Sequence, residues 1–588
     1  MRFLLTAVNA KYIHSNPAVY SLQAYACQED PTLKEQIFVA EYTINQQKDD
    51  ILMDIYKRQP DILCLSCYIW NLDYIEEIVL EIGKLRPDMP IWLGGPEVSY
   101  DAKEVLRRLP CVKGVMKGEG EKTFKEICRI YRNEFEKKKE NVDNSWKKSE
   151  SVDNQLRGVD GITFREEKEK IIDNPWRPIM DLSEVPFVYD HMEDFEHKII
   201  YYETSRGCPF SCSYCLSSVD KRLRFRDIEL VKKELQFFLD HKVPQVKFVD
   251  RTFNCKHDHS IAIWKYIMEH DNGITNFHFE IAADILNEEE LELLEQMRPG
   301  LVQLEIGVQS TNDKTIKAID RKTDFEMIKR AVKLVQKAGG VHMHLDLIAG
   351  LPFEDFNSFG TSFDDVFNLR PDVLQLGFLK LLRGTKIRSE EEKYGYRYNS
   401  KPPYEVLKND FLSYEDVLLL KGIEEVFERY YNSGVFKGAM EYLLEKYNSP
   451  FEMFKKLWLF YDGNGYNKVG QSRNSLYEIL SHFCDDELFC DILKLDYFTY
   501  NKGVNSPKWS LTKYDRSILK TRFDILTDEF IAENLSEYAD IPTKETVKYL
   551  QFETFEYDVL SNCEKRRNII IFDNKYNRRI RVCKDLKQ

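Results

Sequence analysis

Two runs of alternating apolar strands and amphipathic helices predict an α/β protein, and an aromatic-rich carboxyl-terminal portion predicts a mostly helical domain after them. The first run covers residues 1 to about 130 and the second covers 198 to about 385, with a charged stretch between. In the last two hundred residues Tyr, Phe and Leu recur at helical spacing, as in Tyr414–Tyr431 and Asn474–Phe483. At 588 residues the chain is too long for one core.

In the first run, Arg2–Val8, Gln36–Tyr42, Ile62–Cys67, Ile91–Leu93 and Gly114–Met116 read as strands. Leu72–Leu85 and Ala102–Leu109 read as helices between the last three. Strands that alternate with helices in this way build a parallel doubly wound sheet, whose ligands bind at the carboxyl ends of the strands. Residues 131–175 are poor in core residues and predict a linker followed by a hairpin, Gly161–Phe164 with Lys170–Asp173. Arg177–Tyr189 reads as a strap into the second run. There, Ile199–Thr204, Gln245–Val249, Phe277–Ile281, Val302–Gly307, His342–Ile348 and Val373–Phe378 read as strands, each followed by a helical pattern. That repeat predicts a partial or full (β/α) barrel with its active loops at the strand carboxyl ends. Phe498–Leu511 and Asn568–Val582 look less helical than the rest of the last portion.

A net charge of −14 argues against a protein that coats a polyanion. The basic stretches Lys565-Arg-Arg567 and Asn577-Arg-Arg-Ile-Arg581 leave RNA as a less favoured partner, with a solvated surface as the plain reading. No apolar run reaches membrane-spanning length, and Arg2–Asn9 reads as a strand rather than a cleavable signal. Thirteen cysteines, an odd number, fit a reduced cytoplasm.

Three of those cysteines fall in Arg206-Gly-Cys-Pro-Phe-Ser-Cys-Ser-Tyr-Cys215, in the loop after the first barrel strand. Three thiolates cannot close a tetrahedral zinc site. A cubane [4Fe–4S] cluster held by Cys208, Cys212 and Cys215 keeps one iron open for a substrate or cofactor. Gly207 allows a sharp turn, Pro209 stiffens the backbone, and Phe210 and Tyr214 can shield the cluster from water.

This C-x-x-x-C-x-x-C motif resembles that of the radical S-adenosylmethionine enzymes. With the sheet ahead of it, the chain resembles cobalamin-binding radical S-adenosylmethionine proteins over roughly residues 1–390, followed by an uncharacterised carboxyl-terminal domain of one subgroup. The resemblance implies a Rossmann-like cobalamin-binding domain (1–131), a linker, hairpin and strap (132–196), a radical S-adenosylmethionine partial (β/α) barrel (197–395) and a mostly helical domain (396–588). For S-adenosylmethionine it implies contacts from Phe210, Tyr214, Asp250, Glu305, Gln309, Ser310 and Gly350. Asp250, in Phe248-Val-Asp-Arg-Thr-Phe-Asn254, is the candidate acceptor for the cofactor ammonium. Relatives often hold the cofactor carboxylate with an arginine where this chain has Ala282; Ser310, Gln309 and Arg251 are candidate substitutes. For cobalamin it implies Ser66, the loop of Gly94, Gly95 and Ser99, and the loop of Gly118, Glu119 and Gly120, where glycines let a ligand pass close to backbone. The D-x-H-x-x-G cobalt-ligand motif is absent. His14 lies in the matching loop at a different spacing, as a ligand or as a hydrogen-bonded histidine.

Isolated thiols carry less. Cys64 and Cys67 read as buried strand residues, Cys255 as a loop thiol or a neighbour of the active site, and Cys484 and Cys490 as core. The expected activity is methylation of an unactivated carbon through methylcobalamin and a 5′-deoxyadenosyl radical. The alternatives are a non-methylating cyclisation, rearrangement or sulfur insertion with the same cofactors, or a non-catalytic cobalamin or redox sensor. The implied partners are a reductant such as flavodoxin or ferredoxin and a substrate that is a small metabolite, a peptide or a tRNA nucleoside.

Overall fold

A computed structural model describes residues 1–140, 151–166, 170–219, 221–510 and 522–582. Residues 141–150 of the expected linker, and Leu511, lie outside them. The chain divides into two compact units, Met1–Val417 and Leu418–Gln588.

The first unit begins with a seven-stranded sheet in the order β2-β1-β3-β4-β5-β6-β7. Its strands are β1 (Phe3–Asn9), β2 (Ile37–Thr43), β3 (Ile62–Ser66), β4 (Ile91–Gly94), β5 (Gly114–Met116), β6 (Ile162–Arg165) and β7 (Ile171–Asp173). The first five pair in parallel. All seven residues of β1 are buried, as they must be where helices cover both faces of a sheet. Apolar clusters fill each side, one around Ile75, Ile78 and Val79, the other around Phe124, Ile127 and Trp92. The expected linker is shorter than its charge suggested. One helix, Glu121–Glu140, takes its first part, and the hairpin β6–β7 pairs antiparallel onto β5 as part of the sheet. Thr163 and Phe164 are fully buried, so packing overrides the polar composition around them.

A second sheet follows, six parallel strands in the order β15-β14-β13-β12-β11-β8. They are β8 (Ile200–Tyr202), β11 (Gln245–Phe248), β12 (Asn276–Ile281), β13 (Val302–Gln309), β14 (His342–Ala349) and β15 (Val373–Phe378). Helices between them are closed by local signals. Asp227 caps Ile228–Asp240, Asn287 forms a capping box on Glu288–Gln296, and Gly339 at φ +72° ends Phe325–Ala338. Between β8 and β11 lies a small antiparallel ribbon, β9 (Ser205–Arg206) with β10 (Arg224–Phe225). Neither outer edge of the six-stranded sheet is bare. The loop after β1 bridges Ile199, just ahead of β8, with Ile199 N donating to Ile13 O at 2.8 Å. At the other edge Val406 N donates to Leu379 O at 2.9 Å, where β17 (Val406–Lys408), the partner of β16 (Arg397–Tyr398), begins.

The second unit packs helices Lys437–Glu445, Pro450–Gly463, Arg473–Phe483 and Glu487–Tyr500 around buried Tyr430, Tyr461 and Tyr477. The less helical tail is a three-stranded antiparallel sheet, β18 (Leu550–Tyr557), β19 (Lys565–Asp573) and β20 (Arg578–Val582). Within this unit Lys494 is buried, donating to Thr554 O at 2.8 Å and lying 3.4 Å from Glu553. No helix among the described residues is long and apolar enough to cross a membrane.

Candidate active site

The cysteine loop springs from the β9–β10 ribbon, and Gly207 makes its first turn at φ +89°. Cys208 and Cys212 are buried and Cys215 is half-buried. Ser213 N donates to Ile319 O at 2.8 Å, and Ile387 N to Ser213 O at 2.9 Å, so backbone bonds hold the loop over the barrel. Cys212 Sγ receives an N–H from Arg321 at 3.7 Å, and Cys208 Sγ lies 3.5 Å from the Thr252 hydroxyl. Sulfur that carries charge needs a donor such as the Arg321 N–H; the Thr252 hydroxyl donates to Arg251 O at 2.7 Å. Among the described residues no three His, Cys, Asp or Glu side chains converge on a single ion. Three clustered thiols with the Arg321 N–H beside them fit a cubane, whose corners are metals. Tyr214 packs with Ile319, Leu351 and Leu379 and bonds Arg321 through its hydroxyl at 3.3 Å, while Phe210 is half-buried.

Asp250 is fully buried, and both its oxygens are taken. It accepts from Thr204 N at 2.8 Å, Ser205 N at 2.5 Å and Thr204 Oγ1 at 2.6 Å. That corrects the expected ammonium acceptor: the carboxyl ties the end of β8 to the ribbon that carries the cysteines. Burial pushes it up to about 7 despite those donors. Ser310 is corrected in the same way, because it is fully buried and donates to Glu354 at 2.5 Å. At Gly350, φ is +93°, and an added Cβ would meet Val406 at 2.7 Å, so the glycine serves chain packing rather than a ligand. Its carbonyl accepts from Tyr396 Oη at 3.0 Å and Asn409 Nδ2 at 2.9 Å.

Glu305 and Gln309 do face the barrel interior. Glu305 lies 3.0 Å from His278 Nε2 and 3.2 Å from Lys247 Nζ, which hold its carboxyl down to about 2. Gln309 adopts φ +73° past a bulge in β13, and its buried Oε1 has no hydrogen-bond partner. Asp346 Oδ1 is another buried acceptor without a partner. Burial, with Glu305 and Glu280 nearby, pushes the Asp346 carboxyl up to about 7, and burial raises Glu280 as well.

Arg321, Glu280 and Asp346 were missed in the sequence. Glu280 and Asp346 lie inside expected strands, on the inward period of β12 and β14. Arg321 follows the helix Asp313–Ala318, and nothing local in the sequence marks its return to Cys212. It is a half-buried cation beside the cysteine loop, and its Nε has no partner. Ala282 instead uses its backbone, bonding both ways with the Asn254 side chain.

All seven residues expected at cobalamin line one cavity of about 780 Å³ at the carboxyl ends of the first sheet. Gly95, at φ +108°, lies against Cys67, where an added Cβ would meet the carbonyl oxygen at 2.5 Å. Ser99 Oγ joins the two glycine loops, donating to Gly95 O at 2.8 Å and accepting from Gly118 N at 3.3 Å. Ser66 accepts from Asn16 at 3.1 Å, and the buried Asn16 Oδ1 has no partner. A glycine-edged cavity with an orphan polar atom fits a large ligand with amide side chains. Glu119 is corrected in part: its side chain reaches Arg206, Arg224 and Met180 N, which leaves its backbone for a ligand. Tyr201, Glu203, Arg206 and Arg251, from the barrel side, line the same cavity. His14 Nδ1 is 2.5 Å from Tyr201 Oη, a hydrogen-bonded histidine.

Burial pushes Cys64 and Cys255 up to about 12. In the second unit the basic tail is largely paired: Lys565 with Glu487, Arg567 with Glu556, Arg578 with Glu537 and Asp573, Arg581 with Asp558.

Family models match three parts of the chain: a B12 binding domain over residues 6–128, the radical SAM superfamily over 202–366, and DUF4080, a protein of unknown function, over 392–572. The chain is 27% identical over 316 residues to an uncharacterized methyltransferase of Pyrococcus horikoshii, covering 52% of this chain and 63% of that protein. It is 24% identical to the cobalamin-dependent radical SAM methyltransferase TokK of Streptomyces tokunonensis, covering 59% and 51%. It is 23% identical to an anaerobic magnesium-protoporphyrin IX monomethyl ester cyclase of Rubrivivax gelatinosus, covering 57% and 59%. The chain thus spans between half and two thirds of the length of these curated relatives. Among solved structures, the cobalamin-dependent S-adenosylmethionine radical enzyme OxsB superposes with a TM-score of 0.59 at 16% identity, covering 89% of this chain and 83% of that one. The methyltransferase TsrM of Kitasatospora setae, with cobalamin and a [4Fe-4S] cluster bound, superposes with a TM-score of 0.53 at 16% identity, covering 69% and 79%.

Proposed function

The chain belongs to the cobalamin-binding radical S-adenosylmethionine proteins, and on that premise we propose that it methylates an unactivated carbon of its substrate. Its cofactors are a [4Fe-4S] cluster, S-adenosylmethionine and cobalamin. The observation that carries the reading is the shared cavity, into which the glycine loops of the first sheet and the base of the cysteine loop both open. Chemistry that passes between two cofactors needs both against one water-excluding space.

When bound, these cofactors supply reductive cleavage of a sulfonium and a transferable methyl group. The protein supplies positions. Cys208, Cys212 and Cys215 would hold the cluster by three thiolates. Arg321 takes the role left empty at Ala282, as a half-buried guanidinium for the cofactor carboxylate. Gln309 Oε1 and Asp346 Oδ1 are the acceptors left for its donor groups. A reductant of the flavodoxin or ferredoxin class, a cytoplasmic setting and a small-metabolite, peptide or tRNA-nucleoside substrate complete the reading.

Anaerobic reconstitution with reductant tests it. Methylation consumes two molecules of S-adenosylmethionine per turnover, one leaving as S-adenosylhomocysteine and the other as methionine and 5′-deoxyadenosine. Both nucleoside products are expected with substrate, and Cys212→Ala is expected to abolish 5′-deoxyadenosine; cleavage retained in that variant would sink the proposal. Likeness to the cyclase supports a second reading, a non-methylating radical cyclisation. 5′-Deoxyadenosine without S-adenosylhomocysteine would select it.

A further inference from the structure

The ribbon at the base of the cysteine loop places two arginines opposite each other, Arg206 on β9 and Arg224 on β10. Like charges directly across a ladder repel and disfavour the pairing. Here one atom relieves them: Glu119 Oε1 accepts from Arg206 Nη1 at 3.1 Å and also from Arg224. Glu119 belongs to the loop after β5, between Gly118 and Gly120, at the cavity. Arg206 spends the rest of its fork on Glu121 at 2.6 Å and Glu203 at 2.8 Å. The Glu121 side chain is nearly inaccessible; burial would raise its carboxyl, and the Arg206 charge and hydrogen bond, together with a backbone hydrogen bond and Ser21, hold it below its ordinary value. The ribbon that closes the cysteine loop is therefore held in register by a carboxylate of the glycine loop.

Building on the proposed cofactor reading, we propose that Arg206 and Glu119 are positioning residues that link the two cofactor sites energetically. Ordering the glycine loop by cobalamin fixes Glu119, which fixes the ribbon and the cysteine loop. By reciprocity, an assembled cluster tightens cobalamin binding by the same factor. Coupling of this kind is ordinarily about 5- to 150-fold, and about tenfold is expected here. Lysine offers one ammonium in place of a planar fork and cannot meet three carboxylates at once.

The test uses the full chain, prepared anaerobically, cluster-free or cluster-loaded as set by iron content. Hydroxocobalamin is titrated into each by absorbance. The expected ratio of dissociation constants is about 10 for the natural chain, near 1 for Arg206→Gln and Glu119→Gln, and intermediate for Arg206→Lys. The reduced cluster's electron paramagnetic resonance signal is expected to shift on adding cobalamin to the natural chain, but not to Arg206→Gln. If Arg206→Gln loses its circular dichroism spectrum, the near-isosteric Glu119→Gln decides. Equal affinities in the two natural forms, or a ratio unchanged in both variants, overturn the linkage alone. A natural chain that takes up neither cobalamin nor iron overturns the cofactor reading, and the linkage with it.

Discussion

Replacing Asp250 by alanine is expected to cost about 4 kcal/mol of stability, and replacing it by asparagine less than about 1 kcal/mol. Alanine strands two buried backbone donors, Thr204 N and Ser205 N, on residues that are 0% and 4% exposed. Each such orphan costs about 2 kcal/mol. The third donor has another outlet, because the Thr204 hydroxyl is 3.0 Å from His259 Nε2, and burial keeps that imidazole neutral, down to about 4. Asparagine keeps one carbonyl oxygen for the two N–H groups and turns its amide toward the Thr204 hydroxyl, which then donates to His259. Loss of charge matters little for a carboxyl that burial already pushes up to about 7. Urea unfolding gives both stabilities, and iron content after reconstitution reports the cysteine loop. If asparagine proved as damaging as alanine, charge rather than hydrogen bonding would be the requirement, and an ammonium-binding Asp250 would return.

Glu354→Gln should change how stability depends on pH. The Glu354 carboxyl is raised from 4.5 to about 7 by burial, so its contribution is complete below pH 4.5 and is lost as pH rises through 7. The variant should equal the natural chain at pH 4.5 and exceed it by up to about 3 kcal/mol at pH 8; parallel urea profiles would refute this. Arg321→Lys, which keeps charge but loses the fork, should weaken S-adenosylmethionine binding to the reconstituted protein about tenfold by calorimetry, with iron content retained; unchanged affinity would remove Arg321 from the cofactor site. In the second unit, Lys494→Met should cost about 3–5 kcal/mol in urea unfolding by leaving Glu553 buried and uncompensated, and adding Glu553→Gln should restore more than half. No recovery in the double variant would show that the lysine's bond to Thr554 O carries the effect.

Elements written in local periodicity were legible. Val302–Gln309 alternates buried and half-buried residues along its whole length, the period-2 pattern that identified it. The cysteine spacing and the glycine pairs after strands were legible for the same reason, since their meaning lies within ten residues. Roles set at a distance were not. Asp250 stands at a strand end where a ligand would be expected, yet its partners lie 45 and 46 residues upstream. Arg321 reaches Cys212 across 109 residues. The hairpin at Ile162–Asp173 was read apart from the sheet, because its charged surroundings outweighed the short apolar run that packs on β5.

The bridge from Ile13 and His14 to Ile199 bears on synthesis as well as on shape. A ribosome delivers the amino-terminal sheet first, so a docking edge is already waiting when β8 emerges. Without it, β8 would offer its open amides and carbonyls to any other chain. A fragment beginning at residue 197 is therefore expected to self-associate, visible as a rise in light scattering that the intact chain does not give. On that expectation the loop after β1 would serve the barrel as a built-in chaperone long before its sheet has a ligand to hold.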